Sequence, residues 1–138
     1  MCRSKGQEEM QDFTDYRFTS NHEWVLTKGD RLVIGLTDYA QHMLSDIVSV
    51  ELPEPGDHHY EENEEVGIVE SVKTTSEIRA PVAGYVVATN ADLLSIPELI
   101  NEDPYGKGWL VEFTPDNMAD VGALLHVDEY EDILPEEE

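Results

Sequence analysis

The sequence predicts a mainly β fold with a short internal helix and a C-terminal helix. Turn-forming clusters recur along the 138 residues, the apolar runs between them are short, and apolar residues fall at helical spacing chiefly in two places. The length suits a single domain, and 40% hydrophobic residues suffice to close one core.

In chain order, residues 23–27 (EWVLT) and 31–36 (RLVIGL) flank Lys28-Gly29-Asp30 and read as a hairpin. In residues 37–46, Tyr39, Ala40, Met43 and Leu44 recur at helical spacing, and Thr37 or Asp38 can cap the helix. Residues 47–52 (IVSVEL) alternate as a half-buried strand, placing Val48, Val50 and Leu52 on one face and Ser49 and Glu51 on the other. Pro53-Glu54-Pro55-Gly56 ends it, and residues 57–65, with His58, His59 and five carboxylates, read as a solvated connection. Strands are expected at 66–72 and 76–80, so Lys73 stands at or beside the tip of a tight hairpin. A strand at 85–89, a short helical or irregular piece at 96–100, a turn at 103–108 and a strand at 109–113 follow. Thr114-Pro115-Asp116 carries a cap residue, a first-turn proline and an acid, which predicts a helix from Pro115 towards His126 with Met118, Val121, Leu124 and Leu125 on one face. Residues 128–134 form a further acidic stretch with helical character. The expected domain spans 17–134, between a disordered acidic extension at 1–16 and an acidic tail at 135–138.

Eight Lys plus Arg against 31 Asp plus Glu give a formal charge of −23. Nucleic acid and an anionic membrane surface both repel such a protein, so neither is an expected partner. The acidity has two readings, adaptation to high salt or an acidic recognition face. One cysteine, Cys2, offers no intrachain disulfide, and residues 1–16 lack the apolar core of a signal peptide, so a cytoplasmic location is expected.

Few constellations suit catalysis. No serine sits in a Gly-x-Ser-x-Gly turn, and His58 and His59 are adjacent rather than one helical turn apart, so neither a nucleophile with its base nor a metal site is expected. Tyr105-Gly106-Lys107-Gly108 precedes a strand, whereas a phosphate loop needs a helix N-terminus. Lys73 is one of only four lysines, and the hairpin presents it away from the core. Such a lysine suits modification, but geometry alone favours an ordinary surface lysine that keeps a strand edge from pairing.

The surrounding residues are more informative. Val69-Glu70-Ser71-Val72-Lys73-Thr74-Thr75-Ser76-Glu77-Ile78, followed by Ala80-Pro81-Val82-Ala83-Gly84, resembles the lipoyl-attachment hairpin of the glycine cleavage system H-protein family. His22-Glu23-Trp24-Val25, Gly35-Leu36-Thr37-Asp38-Tyr39-Ala40-Gln41, Pro97-Glu98-Leu99-Ile100-Asn101 and Asp103-Pro104-Tyr105-Gly106 resemble it too, in the family's order. Biotinyl carriers usually place methionine on both sides of the lysine, where this chain has Val72 and Thr74.

The resemblance implies a barrel-sandwich hybrid of the lipoyl and biotinyl carrier type, with lipoate in amide linkage on Lys73 as N6-lipoyllysine. It implies a non-catalytic carrier that takes an aminomethyl group from the pyridoxal-phosphate-dependent P-protein to the T-protein and presents its dithiol to the L-protein. Lipoate ligase or an octanoyl or lipoyl transferase is the further implied partner. An alternative within the same resemblance is an H-like relay that donates octanoyl or lipoyl groups to other lipoyl proteins. The family's arm-holding positions correspond to Asn21, Glu23 and Glu77, a carboxylate in a surface cleft being suited to hold a protonated amine. Asn21 stands where serine is frequent and Glu77 where aspartate is common. Thr74-Thr75 replaces a smaller pair, and Arg79 stands where an aromatic is common.

Overall fold

A computed structural model describes residues 16–134. The expected acidic extension and tail, and Cys2, lie outside the described residues except for Tyr16. That residue belongs to the first strand and is only 6% exposed, so the strand includes one position that the sequence places in the extension.

Two antiparallel sheets make the frame. Strands β1 (Tyr16–Phe18), β2 (Glu23–Lys28), β3 (Arg31–Leu36), β5 (His59–Tyr60), β8 (Gly84–Thr89) and β9 (Val111–Pro115) form one, in the order β1-β2-β3-β9-β8-β5. Strands β4 (Ile47–Glu51), β6 (Glu65–Ser71) and β7 (Thr75–Arg79) form the other, in the order β4-β6-β7. Apolar side chains of both sheets, among them Val25, Leu32, Ile34, Val69, Ile78 and Phe113, make the main core.

The β2–β3 hairpin forms as expected, with Lys28 paired to Arg31 across Gly29 at φ 66°. Strand β2 is buried on both faces. Val25 enters the main core, while Trp24 joins Tyr16, Phe18, Val33 and Tyr130 in a second cluster. Trp24 also donates to the Pro104 carbonyl at 2.9 Å, and its ring lies so close over Gly35 that a Cβ there would come within 2.6 Å of it. Because side chains alternate along a strand, Glu23 shares the inward face of Val25.

Helix α1 (Asp38–Leu44) is capped by Thr37, whose hydroxyl accepts from Ala40 N–H. The piece expected at 96–100 runs into helix α3 (Leu99–Glu102), and a further short helix, α2 (Asp92–Ser95), precedes it. Asn101 of α3 donates to Gln41 and the Ser45 carbonyl and accepts from Ile47 N–H at 2.9 Å, fastening the end of α1 to the start of β4.

Four expectations are corrected. A register shift between Ile47 and Ser49 turns Val48 outward, 53% exposed, so Ile47 and Val50 are buried instead of Val48 and Val50. The connection at 57–65 contains β5, paired with β8. Pro115 ends β9 opposite Gly84 rather than opening a helix. The capping falls to Asn117, which accepts from Ala119 N–H, and a 3₁₀ helix (Met118–Ala123) follows in which Val121 is buried and Met118 is 37% exposed. The acidic stretch beyond is helix α4 (Val127–Ile133), which packs Tyr130 against Phe18 with ring centroids 4.8 Å apart.

Candidate functional site: the β6–β7 tip and the network behind it

Strands β6 and β7 pair from Glu65–Arg79 to Glu70–Thr75, leaving Ser71 to Thr74 to turn the chain. Ser71 organises that turn. Its hydroxyl donates to the Thr74 carbonyl and accepts from the N–H groups of Lys73 and Thr74, each at 3.1 Å. Ser71 N–H also reaches the Thr74 carbonyl at 2.8 Å, and Val72 N–H donates to the Asp46 carbonyl at 3.0 Å, pinning the tip to the start of β4. The backbone is thus held while the Lys73 side chain is exposed, with no hydrogen bond or ion pair to its ammonium among the described residues. Val72 beside it is 63% exposed. A primary amine presented on a fixed tip, unencumbered by any carboxylate, fits amide linkage to a carboxylic-acid cofactor.

Asn21, Glu23 and Glu77 are brought together, although not as three lining residues of one open cleft. Glu23 is fully buried, neither a surface acid nor an accessible cleft wall. Its carboxylate accepts from the backbone N–H of Arg79 at 2.7 Å and from the Thr19 hydroxyl at 3.3 Å, joining β2 of one sheet to β7 of the other. Burial pushes this carboxyl up to about 8, against the pull of those hydrogen bonds and the Arg79 charge. Arg79 also pairs through its guanidinium with exposed Glu77 and donates to the Asn63 carbonyl at 2.9 Å. The Asn63 side chain accepts from the Asn21 amide at 3.2 Å. A cleft of about 210 Å³ opens beside Asn21 and Asn63, lined also by Ala80, Pro81 and Leu124.

Ser71, Asn63 and Arg79 take part although the sequence assigned them no role, Arg79 being marked only as a departure from the family's usual aromatic. A serine two residues before a turn lysine is a side-chain-to-backbone turn signal. Asn63, within Glu-Glu-Asn-Glu-Glu, adopts φ 73°, a conformation asparagine tolerates better than most residues. His58 and His59 pair separately, His58 with Glu64 at 3.3 Å and His59 with Asp116 at 2.7 Å.

The profile of the family described as "Glycine cleavage H-protein" matches residues 16–137. The chain belongs to that family. A glycine cleavage system H protein of Thermus thermophilus is 49% identical over 123 residues, covering 89% of this chain and 95% of that one. One from Acinetobacter baumannii is 50% identical over 118 residues, covering 86% and 94%. The crystal structure of a glycine cleavage system H protein from Mycobacterium marinum superposes with a TM-score of 0.77 at 38% identity, covering 86% of this chain and 95% of that chain. Two antiparallel sheets with few short helices are therefore the fold of this family, the barrel-sandwich hybrid expected from the sequence. Among the described residues no helix is long and apolar enough to cross a membrane.

Proposed function

We propose that this chain is the lipoyl-bearing carrier of glycine cleavage, with lipoate attached to Lys73 in amide linkage. The observation that carries this reading is an exposed Lys73 on a tip whose backbone is fixed by Ser71 and Asp46, its ammonium unpaired among the described residues. When bound, the lipoyl group supplies a disulfide that accepts an aminomethyl group and a dithiol that is reoxidised. Carrier work of this kind asks the chain for presentation and protection. Ser71 holds the turn in one shape for whichever enzyme receives it, and Val72 gives that enzyme an apolar contact beside the lysine. Asn21, Glu23 and Glu77 form the polar region suited to a protonated amine at the end of the arm, with Glu77 the accessible carboxylate and the buried Glu23 carboxyl fixing the strand behind it. Its partners under this reading are the P-, T- and L-proteins and a lipoate ligase or an octanoyl or lipoyl transferase, and the cytoplasm is its place.

Label transfer from glycine tests the carrier role. The lipoylated protein incubated with P-protein and methylene-labelled glycine is expected to take up label in proportion to its lipoyl content, and Lys73→Arg to take up none. Label uptake by Lys73→Arg would remove Lys73 from the proposal.

A further inference from the structure

Arg79 stands at the middle of the groups proposed to hold the arm. Its guanidinium is ion-paired with Glu77 and donates to the Asn63 carbonyl, and Asn63 in turn holds the Asn21 amide. Its backbone N–H donates to the Glu23 carboxylate. Arg79 thus already meets, directly or through one neighbour, the three residues proposed for the arm, of which Glu77 is the accessible carboxylate.

We propose that Arg79 is a positioning residue that acts as an internal counter-cation of the arm-holding site, and that a tethered primary ammonium docks by displacing its guanidinium from Glu77. The proposal rests on the reading of Glu77 and its neighbours as arm contacts. Charge sets the need for such a group: in a chain of net charge −23, an unpaired carboxylate here would attract any cation in solution. The forked guanidinium covers it. Exchange remains easy because the Arg79 and Glu77 side chains are 35% and 45% exposed, and ion pairs so open to water are weak. Tethering supplies the selectivity. An amine on a short flexible arm is present at an effective concentration on the order of millimolar and competes with the guanidinium, whereas dilute free amines do not. The Arg79 backbone N–H stays on Glu23 throughout, so the buried link between the sheets survives the exchange.

Two measurements on the full-length lipoylated protein test this. The first follows the Arg79 side-chain Nε–H resonance by nuclear magnetic resonance before and after loading with P-protein and glycine. Loading should move it to the position of a free guanidinium; an unmoved resonance overturns the proposal without any variant being needed. The second is spontaneous release of the cargo with T-protein omitted. Water attacks the methylene carbon of S–CH2–NH3⁺, and the carbon–sulfur and carbon–nitrogen bonds break to give the thiol, formaldehyde and NH4⁺, with no oxidant involved.

Arg79→Gln removes the competing cation and should slow ammonia release about threefold, the factor a weak exposed ion pair supplies. Arg79→Lys restores a cation and should bring the rate back to within about twofold of the unaltered protein. Glu77→Gln should speed release. Equal rates for Glu77→Gln and the unaltered protein refute Glu77 as an arm contact and take the proposal with it. Faster release from Glu77→Gln, with Arg79→Gln equal to or faster than the unaltered protein, leaves the arm contact standing and overturns the role of Arg79 alone.

Discussion

The tip at Lys73 and the network at Glu23 lie at opposite ends of strand β7's influence, and they are built on opposite principles. At the tip the backbone is held by hydrogen bonds while the Lys73 side chain makes no hydrogen bond or ion pair among the described residues. At Glu23 the side chain itself is buried and bonded to both sheets. A residue of the first kind can be replaced with little effect on the fold, because no buried group depends on it. One of the second kind carries structure and function together, so its replacement tests both at once.

The largest expected difference is in stability. Glu23→Ala leaves the Arg79 N–H and the Thr19 hydroxyl without their buried acceptor and should cost about 3 kcal/mol, whereas Lys73→Ala should stay within about 0.5 kcal/mol of the unaltered protein. Urea denaturation of the two variants side by side measures this. Similar losses would erase the distinction between the regions.

A second, smaller effect is in pH. Glu23 ionises near pH 8 in the folded protein and near its ordinary 4.5 when unfolded. Between those values the folded state binds more protons, so this group's contribution to stability is fully present below about pH 4.5 and is lost as pH rises through about 8. Glu23→Gln mimics the protonated carboxyl and has no such loss. Its melting temperature should therefore match that of the unaltered protein near pH 5 and exceed it near pH 8. A constant difference across that range would show that the buried carboxyl does not titrate there.

The smallest effect belongs to the tip. Ser71→Ala removes three hydrogen bonds around a turn open to water and should cost about 1 kcal/mol globally, with faster amide exchange confined to Lys73 and Thr74. Unchanged exchange at those two amides would mean that the backbone bonds from Ser71 N–H to Thr74 and from Val72 N–H to Asp46 suffice to hold the turn.

The same contrast explains what the sequence could say. The tip is local: two apolar-patterned strands separated by a few polar residues place Lys73 without reference to the rest of the chain, and both strands form, each one residue earlier than read. Helix α1 is similarly local, since Thr37 and the helical spacing after it suffice. Glu23 is not local. Its spacing to Val25 puts it on the core face, yet an acid in EWVLT reads as a surface residue until β7 is known to lie opposite and to offer a backbone N–H. Val48 faces outward because a bulge between Ile47 and Ser49 breaks the alternation, so that Ile47 and Val50, three residues apart, both point inward. Pro115 misled because a proline at a strand end and one at a first helical turn look alike in sequence, and the pairing with Gly84 decides between them. Strand β5 has only two residues, too few to show alternation, and depends on β8 for its existence.

Attachment at Lys73 is the central claim, and peptide mapping by mass spectrometry after incubation with lipoate ligase and lipoate tests it most directly. The account predicts one lipoyl group per chain, on the peptide containing Lys73, and none on Lys73→Arg. Lipoylation at Lys28 or Lys107, or modification that persists in Lys73→Arg, would contradict it.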